Sequence, residues 1–158
     1  MKVKKIFLFL CILMLVPLLL SACKTEEEGL PRWYFGVEGA ETKVFSTFDY
    51  GKLKETNITV ERPGTDKVIV TEEMTGVHLK DVLEYLDISE YSSITLTSKD
   101  GSFVEYPHSI VEDPDTLLVF MVNGKTEWDE ATEIVQVVAK NLPEDMWLWN
   151  LATLTVNP

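Results

Sequence analysis

The strongest constraint in this chain is Leu117–Val122, six apolar residues in succession, closed by Asn123–Gly124. An unbroken apolar run this short, ending in a turn signal, predicts a strand buried on both faces. The residues before it supply material to cover such a strand. Leu79, Val82, Leu83 and Leu86 fall at i, i+3, i+4 and i+7, which predicts a helix over Leu79–Leu86 with one apolar face; Lys80, Asp81 and Glu84 fall on the wet side. Ile94–Ser98 alternates Ile94 and Leu96 with Thr95 and Thr97, the period of a half-buried strand. Lys99–Asp100–Gly101 is a turn, because Asp-Gly supplies the positive φ of a tight hairpin, and Phe103–Tyr106 returns antiparallel.

The flanking stretches are shorter and more polar. Arg32–Val37 and Thr42–Phe45 read as strands. Ser46 or Thr47 is placed to cap a short helix, with Asp49 in its first turn. Asn57–Glu61 and Lys67–Thr71 are strands about the turn Arg62–Asp66. Thr75–Gly76 leads into the helix at Leu79, and His108–Val111 forms one helical turn before Asp113–Pro114. Ile134–Ala139, interrupted by Gln136, predicts a central strand. Ala152–Asn157 alternates as a half-buried final strand. Trp147 and Trp149, two apart, share a face if that segment is extended. Seven to nine strands with two or three short helices make an α+β domain, mostly β in mixed sheets.

The first residues belong to export rather than to the fold. Lys2, Lys4 and Lys5 precede the apolar run Ile6–Leu20, and Leu20–Ser21–Ala22–Cys23 follows. Fifteen apolar residues fall short of the ~20 a spanning helix needs, and the pattern is that of a signal peptide. Small residues directly before a cysteine resemble the bacterial lipoprotein box. That resemblance implies cleavage before Cys23, a diacylglycerol on its thiol, and a position at the cell membrane on the extracytoplasmic face. The expected organisation is a signal peptide over 1–22, lipidated Cys23 and an acidic tether to Leu30, and one domain over 31–158. Cys11 leaves with the signal and Cys23 is the anchor, so the domain has neither disulfide nor thiolate ligand. The net charge of −12 becomes −15 once the three signal lysines are removed. A surface so acidic argues against nucleic acid and anionic headgroups as partners, leaving the membrane contact to the lipid.

Several of these segments, in this order, resemble the pterin-binding domain of the sulfite oxidase family of molybdenum enzymes. Ser46–Tyr50 is similar to its early helix, and Gly76–Leu83 to its Gly-Val-x-Leu-x-Asp-x-Leu loop and helix. Ser98–Gly101 with Phe103 resembles its Ser-x-Asp-Gly-aromatic hairpin, and Leu117–Gly124 its strand ending in Gly. Glu133–Ala139 and Trp147–Val156 resemble its closing strands. The resemblance implies that fold, and a ligand cleft bordered by Gly76, Val77 and His78 and by the Asp100–Gly101 hairpin. The departures bear on chemistry. The family's oxidases ligate molybdenum with a Cys upstream of the Gly-Val segment, and Arg32–Thr75 has none. Thr75 stands where a Trp is common, Val135 or Gln136 where an Arg is expected, and Trp149 where a Lys is common. A phosphate needs donors and positive charge, so the resemblance implies the fold without molybdopterin.

The remaining candidates each carry two readings. His78 and His108, the only histidines, could serve a metal only with carboxylate help; an exposed or locally bonded imidazole is the plainer account. Asp100 and Asn123 are turn residues before glycines. Glu112, Asp113 and Asp115 offer oxygens to calcium but lack an EF-hand pattern, and a solvated loop is the plainer account. Trp128, Trp147 and Trp149 form either a recognition surface or part of the core. The resulting expectation is a membrane-anchored, non-catalytic binding or accessory module with a small ligand or an envelope protein as partner. The alternative is a degenerate oxidoreductase that retains molybdopterin.

Overall fold

In the computed structural model, residues 33–64, 68–126 and 135–158 are described. Cys23, the segments before it, the tether and Trp128 lie outside them. Among the described residues, nine strands form two sheets, joined by three short helices and one 3-10 turn. The strands are β1 (Tyr34–Glu38), β2 (Val44–Ser46), β3 (Thr56–Pro63), β4 (Ile69–His78), β5 (Ser93–Ser98), β6 (Phe103–Pro107), β7 (Thr116–Val122), β8 (Gln136–Ala139) and β9 (Leu151–Asn157). The helices are α1 (Thr47–Tyr50), α2 (Leu79–Tyr85) and α3 (His108–Val111), with the 3-10 turn at Glu144–Met146. One sheet has the order β2-β1-β9-β5-β6 and the other β3-β4-β7-β8. All pairings are antiparallel except β1 with β9. This is the α+β, mostly β architecture that the alternating and unbroken apolar patterns predict.

The apolar run is buried on both faces over Leu117–Val119, while Phe120–Val122 are half-buried. Leu118 packs with Val77, Leu79, Val82 and Val137 on the side of the helices. Leu117 and Val119 point the other way, into a second cluster with Ile58, Val60, Met74, Val138 and Trp147. The α2 face also forms as spaced: Leu79, Val82, Leu83 and Leu86 are all buried. The helix leaves β4 without a loop, since His78 is both the last strand residue and the cap position.

Three expectations need correction. The strand expected over Lys67–Thr71 runs instead from Ile69 to His78, because the ladder with β3 continues through Gly76. Glu72 and Glu73 broke the apolar alternation and hid that continuity. Glu72 is accommodated by Arg62 on β3, whose Nε and Nη2 donate to its two oxygens at 2.6 and 2.9 Å. Second, β8 is an outer strand by order, not a central one. It is wholly buried because Leu148 bridges its free side, exchanging backbone hydrogen bonds with Val137 at 2.8 and 3.0 Å. Third, Trp147 and Trp149 do not lie in a strand: they fall between the 3-10 turn Glu144–Met146 and β9, where Asn150 has φ 54, and they differ in burial. Trp147 is buried with its indole N–H donating to Ala139 O at 2.9 Å, whereas Trp149 is 38% exposed.

Candidate functional site

Gly76, Val77 and His78 close β4, and each has a local physical role. The β4–β7 register shifts between Thr75 and Gly76, leaving Phe120 as an extra residue on β7. At this bulge the two backbones come very close. A Cβ on Gly76 would stand 2.9 Å from Leu118 C and from Val119 Cα, and closer still to the Leu118 carbonyl oxygen. Only glycine permits that approach. Val77 is fully buried in the main core. His78 presents Nε2 to Thr56 Oγ1 at 3.3 Å, while its Nδ1 is buried without a hydrogen-bond partner among the described residues.

The bulge turns Phe120 onto Tyr50 of α1, edge to face at 4.5 Å between ring centres. Tyr50 also meets Trp33 at 5.7 Å, and Trp33 stacks on Phe45. The Tyr50 hydroxyl and Trp33 Nε1 are both buried and have no hydrogen-bond partner among the described residues. Burial first, and then the charge of Glu55, push the Tyr50 phenol well above its ordinary value. Glu55 precedes Thr56, the partner of His78. The sequence thus runs from an aromatic cluster to the His78 corner within one short connection. The density of aromatic residues over Trp33–Tyr50 is the signal that could have pointed to this cluster as a unit.

Asp100 and Gly101 lie in the other sheet, in the β5–β6 turn. Asp100 Oδ1 accepts from Ser102 N at 2.8 Å, and Gly101 has φ +87. Hydrogen bonding from Ser102 holds the Asp100 carboxyl below its ordinary range. Lys99 N donates to Asn150 O at 2.9 Å, tying the turn to the approach to β9. No strand pairing joins this turn to Gly76–His78, which lie between β3 and β7. Two clefts, of about 610 and 490 Å³, lie elsewhere: one between the β1–β2 turn and the end of α2, the other beside β3 and Trp147. Neither is lined by Gly76, Val77, His78, Asp100 or Gly101.

The other candidates are engaged locally. His108 stacks on Tyr91 at 4.8 Å. Glu112 accepts from the Tyr91 hydroxyl, and Asp113 accepts from Asp115 N and Asn141 Nδ2. Among the described residues, no group of three or more His, Cys, Asp or Glu side chains is arranged to hold a metal, and no helix is long and apolar enough to cross a membrane. Asn123, at φ 52, accepts from Glu73 N through its side chain.

The molybdopterin of the sulfite oxidase family can be tested against these residues. The positions expected to carry its cations hold Val135 and Gln136, both buried and uncharged, and the neutral Trp149. No cysteine follows Cys23. These residues do not fit the group.

Searched by sequence, the chain matches no protein-family model and no curated protein. In structure it is similar to a chain in the crystal structure of the sulfane dehydrogenase SoxCD from Paracoccus pantotrophus, with a TM-score of 0.67 and 17% identity. The match covers 82% of this chain but 39% of the other, so the chain spans about two fifths of that neighbour's length. The fold is therefore that of a sulfite-oxidase-like α+β domain.

Proposed function

We propose that the chain is a lipid-anchored module on the extracytoplasmic face of the cell membrane, and that its sulfite-oxidase-like domain binds a ligand or an envelope protein rather than catalysing. The observation that supports a binding role is the set of buried, unpartnered polar atoms Trp33 Nε1, Tyr50 OH and His78 Nδ1. Buried donors and acceptors are nearly always satisfied, and one left alone costs about 1–3 kcal/mol. A small polar molecule that supplied partners to these atoms would recover that cost. Thermal-shift screening of the purified protein against tetrapyrroles, flavins and metal salts tests the reading, because a ligand of the folded state alone must raise the melting temperature. Metabolic labelling with a radioactive fatty acid that fails to mark the chain, or that marks Cys23→Ser equally, would refute the anchor.

The second reading, an oxidoreductase that keeps molybdopterin, is favoured by the likeness to a dehydrogenase chain. It is opposed by the uncharged residues at the expected phosphate positions. Stoichiometric molybdenum and an extractable pterin in protein from its native host would establish it over the first.

A further inference from the structure

We propose that the outer face of the five-stranded sheet is a docking surface for a basic segment of a partner protein. The strand registers place Val44, Gly36, Thr153, Thr97 and Phe103 in one row across all five strands. The next row is Glu38, Thr155, Thr95 and Glu105. Side-chain hydrogen bonds confirm that these groups share a face: Thr155 Oγ1 donates to Glu38 at 3.2 Å, Ser93 Oγ to Glu105 at 2.5 Å, and Asn157 Nδ2 to Ser93 Oγ and Thr95 Oγ1 at 3.0 and 2.9 Å. The result is a floor of hydroxyls, rigid in its rotamers because threonine is β-branched.

Two features mark this floor as more than a wet sheet face. Large apolar side chains stand on it exposed: Tyr34 at 64%, Val44 at 48% and Phe103 at 69%. They sit at its two sides, with the small Gly36 leaving a dip beside Tyr34 and Val44. The charge is also of one sign. The five strands contain no Lys or Arg; the nearest cations in sequence, Lys43 and Lys99, are in the turns at their ends. Glu38 and Glu105 have no ion-pair partner among the described residues. They lie three strand spacings apart, about 14 Å. Complementary potentials select the partner, so the match is a surface with cations at that spacing and apolar groups beside them, which also suit the faces of Tyr34 and Phe103. A second copy of this chain is excluded on the same ground, since it would set carboxylates against carboxylates. The face measures roughly 20 Å by 20 Å by strand spacing and rise. That is about half the ~800 Å² each partner gives to a stable interface, which implies a weak, reversible contact.

The test is fluorescence anisotropy of a labelled peptide of alternating arginine and valine, titrated with the full-length protein in detergent. The expected result is saturable binding weakened at least tenfold by Glu38→Gln with Glu105→Gln, and equally by Tyr34→Ser with Phe103→Ser. Thr97→Lys, which sets a cation in the middle of the floor, should abolish it. The control pair Glu41→Gln with Glu90→Gln removes the same charge elsewhere and should change binding less than twofold. Melting temperatures within 2–3 °C of the unaltered chain, by the ordinary scale of surface substitutions, would show that the variants are folded. Equal loss in the control pair would mean attraction to net charge alone and would overturn the proposal. So would absence of peptide binding, or binding of a neutral chito-oligosaccharide to this face in its place.

Discussion

Replacing Gly76 by alanine puts the backbone account of the Gly-Val segment at risk in one step. The added methyl would meet Leu118 C and Val119 Cα at 2.9 Å each, against an ordinary separation of about 3.5–4.0 Å between carbon atoms. It would press harder still on the Leu118 carbonyl oxygen. Every one of these neighbours is backbone, so no rotamer change can relieve the contact. Both strands are interior to their sheet: β4 is fastened to β3 over eight residue pairs and β7 to β8 over four. Separation by somewhat under an ångström must therefore be absorbed by the β4–β7 ladder and by the core on both sides of it. Overpacking of ordinary cores costs 1–3 kcal/mol, and the rigidity here places the expectation at the top, about 3 kcal/mol.

Gly36→Ala is the control within the same molecule. Its Cβ would meet nothing nearer than 3.7 Å, an ordinary contact, and the substitution should stay within about 0.5 kcal/mol. Urea and thermal unfolding followed by circular dichroism would read both. For a domain of this size, 3 kcal/mol corresponds to a fall in Tm of roughly 10 °C. A Gly76→Ala protein as stable as the unaltered chain, or a Gly36→Ala protein equally damaged, would refute the argument that strand approach requires the glycine.

Other outcomes follow from the same geometry. Trp147→Phe removes the indole bond to Ala139 O, but that carbonyl also accepts from Leu142 N; the loss should be about 1–2 kcal/mol in urea unfolding. Gln136 is fully buried and its amide atoms have no partner among the described residues, so Gln136→Met should raise Tm, and a fall would show that the amide is satisfied. Burial raises the Asp49 carboxyl, but hydrogen bonds from Ser46, Tyr85 and Lys52 outweigh it and leave the group below its ordinary value. A depressed carboxyl contributes stability above its unfolded pKa and loses it as pH falls through the folded one. The stability difference between the unaltered chain and Asp49→Asn should therefore shrink on going from pH 7 to pH 3 in urea titrations.

Much of the fold was legible because period and burial coincide. The spacing of Leu79, Val82, Leu83 and Leu86 could describe only a helix face, and Leu117–Val119 could satisfy their bulk only between two layers. Ser46, Asp100–Gly101 and Asn123–Gly124 were readable for a different reason, since capping and positive φ are local demands of the backbone. What was not legible depended on partners distant in sequence. Glu72 looks like the end of a strand until Arg62, diagonal to it on β3, is seen to pair with it. The edge position of β8 is invisible while Leu148 covers it. Trp147 and Trp149 alternate as in a strand, yet they sit between a 3-10 turn and the αL residue Asn150, one buried and the other partly exposed. The aromatic corner of Trp33, Tyr50 and Phe120 needs the β7 bulge, and a bulge is a property of two paired strands rather than of one sequence.

This separates two kinds of information in the Gly76–His78 and Asp100–Gly101 motifs. Glycine at 76 is required by the approach of β7, valine at 77 by the core, and Asp100 with Gly101 by the hairpin turn. None of those requirements involves a bound group, so these residues would persist in any chain that keeps the architecture. The positions whose chemistry a pterin phosphate would dictate, 135, 136 and 149, carry no such backbone obligation, and there the residues are Val, Gln and Trp. Resemblance concentrated at structurally obligatory positions and absent at chemically obligatory ones is what the proposed binding role, a fold kept without its pterin, calls for. His78 is the position where the two kinds meet: its place at the strand–helix junction is architectural, but its buried Nδ1 is not accounted for by architecture. If the domain binds a small ligand at this corner, His78→Ala should abolish a thermal shift that Gly36→Ala leaves intact; an undiminished shift in His78→Ala would move the ligand elsewhere on the molecule.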